Sequence, residues 1–206
     1  MKFIVPLSMV LTCLLSSSLA TSPAMAGCTN LNPAVNLTNP DRNYTNNNDG
    51  TVTDKNTGLM WQQCSLGLSG ADCTTGTQQS VSWFDALAAA NTNTGSGYSD
   101  WRLPNKNELH SLVEYACSSP AINETFFPSG SIVANASRRF WTSTPYAGSA
   151  DSAWVVRFDG GLVRAFTSGA PIRKNDLYFV RLVRGFVLLD EDPTAVQIPD
   201  LGKTTE

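Results

Sequence analysis

The run Gly97-Tyr98-Ser99-Asp100-Trp101-Arg102-Leu103-Pro104-Asn105-Lys106-Asn107-Glu108-Leu109 constrains this chain more than any other segment. Pro104 has no amide hydrogen and biases Leu103 to extended backbone, so no helix runs through this point. Asn105, followed three residues later by Glu108, is a reciprocal helix cap. Leu109, Leu112 and Val113 then recur at helical spacing. An aromatic, extended segment must therefore hand over to a helix at a fixed place, and the spacing predicts that helix to about Tyr115. Arg102 stands between Trp101 and Leu103-Pro104 and reads as structural. Its guanidinium needs a carboxylate or carbonyls, with Asp100 and Glu108 nearby in sequence.

Residues 1–26 read as a signal peptide. Lys2 supplies the positive charge, Phe3 to Leu19 is mostly apolar, and Ala24-Met25-Ala26 gives a small-residue cleavage site. The apolar run is short and ends in Ser and small residues, which argues against a retained membrane span. The expected address is exported: periplasmic, cell-surface or secreted. Met25-Ala26-Gly27-Cys28 loosely matches a lipoprotein box, so lipidation at Cys28 is a minor alternative. Cleavage removes Cys13 and leaves Cys28, Cys64, Cys73 and Cys117. An even number in an exported chain implies two disulfides. Cys64 and Cys73 flank a Gly/Ser-rich loop and are expected to pair, which gives Cys28 to Cys117. Lipidation of Cys28 would leave Cys117 odd. No C-x-x-C is present, so no metal site is expected.

The rest suits one domain. An irregular lead-in is expected over 27–42, the domain over 43–185 and an acidic tail over 186–206. The formal net charge of −3 gives no argument for nucleic acid. Its distribution is uneven. Eight Lys/Arg stand against three Asp between Arg138 and Arg184, and five acids against one Lys after Gly185.

Asn48-Asp49-Gly50 predicts a type I′ hairpin turn between two short polar strands, and Leu59–Gln62 a third strand. The Asn46–Asp54 stretch aligns with a calcium loop only by placing Thr45 and Asn56 where carboxylates are needed, so turn chemistry is the better reading. Ser82 and Asp85 cap a first helix whose stripe is Phe84, Leu87 and Ala88, ending near 91–93. A long loop covers Ala121–Ser137. Four strand-like runs follow (140–144, 153–158, 162–167 and 178–184) and read as a β-meander. Alternation puts Trp154, Val156 and Phe158 on one face. The five Trp read mostly as core. Strands and helices are segregated, so the fold class is α+β with two helices and antiparallel hairpins, disulfide-stabilised.

Asp49-Gly50-Thr51-Val52-Thr53-Asp54 leading to Thr57-Gly58-Leu59-Met60-Trp61, Tyr98-Ser99-Asp100-Trp101-Arg102-Leu103-Pro104, Pro120-Ala121-Ile122-Asn123, Trp141-Thr142-Ser143-Thr144-Pro145-Tyr146 and Val180-Arg181-Leu182-Val183-Arg184-Gly185 occur in this order. Together they resemble the C-terminal domain of the Legionella collagen-like adhesin over residues 43–185. The resemblance implies a C-type lectin-like variant and an adhesion role toward sulfated glycans and related polyanions. The Arg102-Leu103-Pro104 helix start is also similar to that of formylglycine-generating enzymes.

The residues narrow the chemistry. Neither Glu/Gln-Pro-Asn nor Trp-Asn-Asp is present to hold calcium and sugar. The last cysteine, Cys117, comes too early for formylglycine chemistry, and His110 is the only His. No Gly-x-Ser-x-Gly elbow appears. The candidate ligand-binding residues are Arg138, Arg139, Arg157, Arg164, Arg173 and Lys174, which would grip sulfate or carboxylate if several share a face. Tyr146, in a loop, is placed to stack on a sugar ring. Glu108, Arg102 and Arg181 are read as structural. The expected function is an exported, non-enzymatic binding module for polysaccharide, sulfated glycan or an envelope protein, without cofactor, nucleic acid or membrane span after signal cleavage. Two alternatives are a periplasmic enzyme using carboxylates of the two-helix region and a structural subunit of an envelope assembly.

Overall fold

A computed structural model describes residues 30–128, 139–167 and 170–186. The expected signal peptide, Cys28, Arg138, the end of the 121–137 loop and the tail from 187 lie outside the described residues. Three short strands, β1 (Tyr44–Asn46), β2 (Thr51–Asp54) and β3 (Leu59–Gln62), open the domain. The small strands β4 (Leu68–Ser69), β5 (Thr75–Gly76) and β6 (Ser80–Val81) lead to helix α1 (Trp83–Thr92). Helix α2 (Lys106–His110) precedes β7 (Arg139–Pro145), β8 (Ala153–Arg157), β9 (Leu162–Arg164), β10 (Phe166–Thr167) and β11 (Ala170–Pro171). The last strands are β12 (Tyr178–Phe179) and β13 (Val183–Phe186). The class is α+β, as the segregation of elements predicts.

Two sheets carry the body, in the orders β1-β2-β3-β13 and β6-β12-β7-β8-β9. The meander holds for β7, β8 and β9, which pair antiparallel in turn. It fails for the final run, which divides. Tyr178–Phe179 lies parallel to β7 and antiparallel to β6, whereas Val183–Phe186 joins β3 in the other sheet. The residues between serve both sides: Val180 O accepts from Leu66 N at 2.9 Å and Leu182 O from Gln62 N at 3.0 Å. A single strand in one sheet would leave those donors without acceptors.

The core lies on both faces of the five-stranded sheet. Phe140, Val156 and Phe158 pack with Val52, Leu59, Trp61, Leu109, Leu112 and Phe127. Trp141, Ala153 and Val155 pack with Ala86, Ala90, Trp101, Leu103, Ile172 and Leu182. Val155 and Val156 are both fully buried, so β8 is covered on both sides. Each fully buried side chain of this size contributes about 1.5–3 kcal/mol.

Local chemistry sets the helices. Ser82 Oγ accepts from Asp85 N at 3.2 Å and donates to Asp85 Oδ2 at 2.7 Å. The predicted stripe is out of phase, since Phe84 is 55% exposed and Ala88 is exposed, while Ala86 and Ala90 are buried. Trp83 is the reason. Its Nε1 donates to Thr142 O at 2.8 Å, which turns Trp83, Ala86 and Ala90 inward beside Leu87, the one residue of the predicted stripe that packs on the core. Helix α2 has both halves of its capping box, but it ends at His110 rather than Tyr115. Beyond it the chain bridges Val113 to Ile122, and Glu114 N donates to Ala121 O at 3.0 Å. The first hairpin turn is wider than type I′, because positive φ occurs at Asn48 (60°) and Gly50 (85°) and not at Asp49.

Cys64 and Cys73 form a disulfide. Cys117 is also disulfide-bonded, while its expected partner Cys28 lies outside the described residues. The end of the lead-in is built into the body by the fully buried Glu114. Its carboxylate accepts from the amides of Thr38, Asn39 and Ala116 at 3.0, 2.6 and 2.9 Å and from the Thr38 hydroxyl at 3.1 Å. Burial, then the charges of Asp54 and Glu114, push the Tyr44 phenol far up. Glu114→Ala should destabilise the domain by about 3 kcal/mol in urea unfolding, because it strands buried donors. A loss within the ~0.5 kcal/mol of an ordinary surface change would show that this anchor is dispensable.

Candidate functional site

Register brings three of the candidate arginines together. Arg139 on β7 faces Arg157 on β8, and Arg164 on β9 faces Val155, two residues before Arg157. Directly opposed and alternate residues share a face, so Arg139, Arg157 and Arg164 project from the side of the sheet that carries Trp141 and Val155. Two cations directly opposite one another repel unless something bridges them. Asp159, at the end of β8, offsets this repulsion by pairing with Arg157. Arg157 Nε donates to Asp159 Oδ1 at 3.0 Å and Nη2 to Oδ2. This bond holds the Arg157 guanidinium above its ordinary value, although burial opposes it. Burial works against ionisation of Asp159, but the bonds and charge of Arg157, with the charge of Arg139, outweigh it and keep the carboxyl below its ordinary value. The Arg139 guanidinium lies 5.5 Å from the Tyr178 ring centroid. Its buried Nε has no partner among the described residues. Burial, followed by the charge of Asp176, raises the Tyr178 phenol. Arg164 is exposed and forms no ion pair among the described residues.

The other candidates lie elsewhere. Arg173 is exposed and bridges Ser152 at the opposite end of β8. Lys174 Nζ donates to Ala150 O at 2.7 Å and sits 4.5 Å from the Trp83 ring centroid. Tyr146 stacks edge-on against Trp154 at 5.6 Å, and Lys106 Nζ lies 4.7 Å from the Trp154 ring. Trp154 alternates with Val155, so this group is on the face away from the arginines. Trp83 and Trp154 are only half-buried, unlike Trp61, Trp101 and Trp141. Arg138 lies outside the described residues.

Three further arginines hold the frame. Arg102 grips Glu108 through two bonds of 2.7 Å. Burial opposes the charge on Glu108, yet those bonds, the amide of Asn105 and the charge of Arg102 together hold its carboxyl below its ordinary value. Arg184 bonds Asp100 at 2.7 Å and covers the Tyr98 ring at 3.9 Å. Arg181, 2% exposed, donates to the carbonyls of Gln62 and Gln63.

A feature that sequence reasoning missed is a cleft of about 550 Å³ with both amide and apolar lining. The β1–β2 turn (46–50), residues 62–71 and the turn at 93–96 line it. Its only signal in the sequence is the Asn- and Gly-rich text at 46–50 and 93–97, which reads as turn chemistry.

The fold is thus a disulfide-stabilised α+β domain that carries a basic sheet face and a separate cleft. The family model of the Lcl C-terminal domain matches residues 50–184, well over half of the chain. The chain belongs to this family, which makes it an adhesin-related module. Comparison with curated proteins finds no match.

The depressed carboxyls fix the sign of the acid response. Glu108 and Asp159 titrate lower in the folded state than when unfolded, so their stabilisation is complete above the ordinary values of 4.5 and 3.8. It is lost as pH falls through the folded values. Urea midpoints should therefore drop on acidification below about pH 4.5, and more shallowly in Glu108→Gln. Equal slopes in the two proteins would show that Glu108 contributes nothing to the acid response.

Proposed function

We propose that this domain is an exported binding module that recognises sulfated or carboxylated polysaccharide through Arg139, Arg157 and Arg164. The observation that carries the reading is the shared face of these three side chains, where the one ion pair among the described residues is Arg157 with Asp159. A guanidinium fork matches a sulfate or carboxylate with two parallel bonds. Arg164 is exposed enough to meet a ligand first. Asp159 competes for Arg157, so an incoming sulfate takes over the bonds that Asp159 now accepts. Membership of an adhesin-related family supports the binding role. Export is supported by the Cys64–Cys73 disulfide, which an oxidising compartment maintains. Among the described residues no helix is long and apolar enough to cross a membrane.

The oxidised domain should bind heparin-agarose at low salt and elute as salt rises. Arg157→Ala with Arg164→Ala should elute earlier, with a salt dependence lower by roughly one counterion per arginine removed. Lys174→Ala should change little, and Asp159→Asn should elute later. Passage of the wild-type domain through the column at low salt would refute the proposal.

A further inference from the structure

We infer that the cleft bounded by residues 46–50, 62–71 and 93–96 is a second binding site, for an uncharged sugar unit. It shares no residue with the arginine face and does not depend on the reading of that face. Its volume of about 550 Å³ falls in the range of small-ligand sites, roughly 300–1,000 Å³. No Lys or Arg lines it, so no side-chain cation there favours an anion over a neutral ligand. Its one acid, Asp49, is already engaged through Oδ1 by the amide and hydroxyl of Thr51, at 2.9 and 2.6 Å.

Side-chain amides dominate the polar lining, and their orientations are fixed. Gln62 Nε2 donates to Asn93 Oδ1 at 2.8 Å, and Gly95 N donates to the same oxygen at 2.9 Å. Gln62 Oε1 is thereby left as an acceptor and Asn93 Nδ2 as a donor, neither with a partner among the described residues. Asn48, in the left-handed region at φ 60°, makes no side-chain hydrogen bond there either. Ser69 and Ser96 add hydroxyls, the latter donating to Asp49 O at 2.7 Å. A sugar hydroxyl donates and accepts at once, so an adjacent pair of hydroxyls meets an amide acceptor beside an amide donor. Leu66 and Leu68 offer apolar wall for the C–H face of a ring.

The walls are preorganised. The Cys64–Cys73 disulfide ties the 64–73 loop, and a Cβ at Gly67 would collide with the Thr77 carbonyl, so that loop folds only with glycine there. A site already rigid loses less entropy on binding.

The test is a ¹H–¹⁵N titration of the oxidised domain with lactose, cellobiose and N,N′-diacetylchitobiose. At least one should shift the side-chain amides of Gln62 and Asn93 and the backbone of residues 64–70, saturably and without dependence on salt. Asn48→Gly, which tolerates positive φ, combined with Ser69→Ala should weaken that sugar by about tenfold. Arg157→Ala with Arg164→Ala should leave it unchanged. The inference is overturned if none of the three sugars gives saturable shifts at these positions. It is equally overturned if the rim variant binds as wild type, or if the arginine variant abolishes the shifts. A failure on heparin leaves this result untouched, so the two readings are separable.

Discussion

The guanidinium of Arg181 lies at the junction of the two sheets and donates to the carbonyls of Gln62 and Gln63 at the end of β3. Phe127 and Phe140 flank it, with ring centroids at 5.1 and 6.0 Å. It takes part in no ion pair among the described residues. Burial alone pushes it down to about 9, still well above neutral pH, so the cation persists inside the protein. Removing a charge from water is costly, and carbonyl oxygens with aromatic faces offset that cost here. The arrangement works only if β3, the 178–186 run and the Phe140 strand meet at one place.

That meeting point organises the rest. The run through Arg181 leaves the five-stranded sheet at Phe179 and enters the four-stranded sheet at Val183. Between them Val180 and Leu182 are fully buried and their carbonyls hold the disulfide loop and β3. The walls of the cleft are thus fixed from beneath by the strand crossing. On the other side of the crossing, Tyr178 supports Arg139 on the basic face. The two surfaces suited to ligands are separate, but one buried contact underlies both.

Local chemistry was legible in the sequence. The Asn105–Glu108 box, the Ser82 cap and the Cys64–Cys73 pairing each depend on residues within a few positions of one another, and each is found. Arg102 shows the same economy, since its partner Glu108 also closes the cap. Other features depend on distant partners. The phase of α1 was misread because the Thr142 carbonyl, supplied from β7, decides whether Trp83 or Phe84 turns inward. The division of the last strand was invisible because the amides of Gln62 and Leu66, far earlier in the chain, claim its middle. The sequence left open which basic residues share a face; among the described ones, strand register collects Arg139, Arg157 and Arg164. The cleft was missed because amide-rich turns look the same whether they enclose space or not.

The strand crossing at Arg181 should behave as a rigid frame, not as a locally opening seam. Native-state hydrogen exchange of the Gln62 and Leu66 amides tests this most directly, because both donate to the crossing segment. Both should exchange only with global unfolding, at the same free energy as the fully buried core of β8. Exchange of either through a local opening well below that free energy would contradict it.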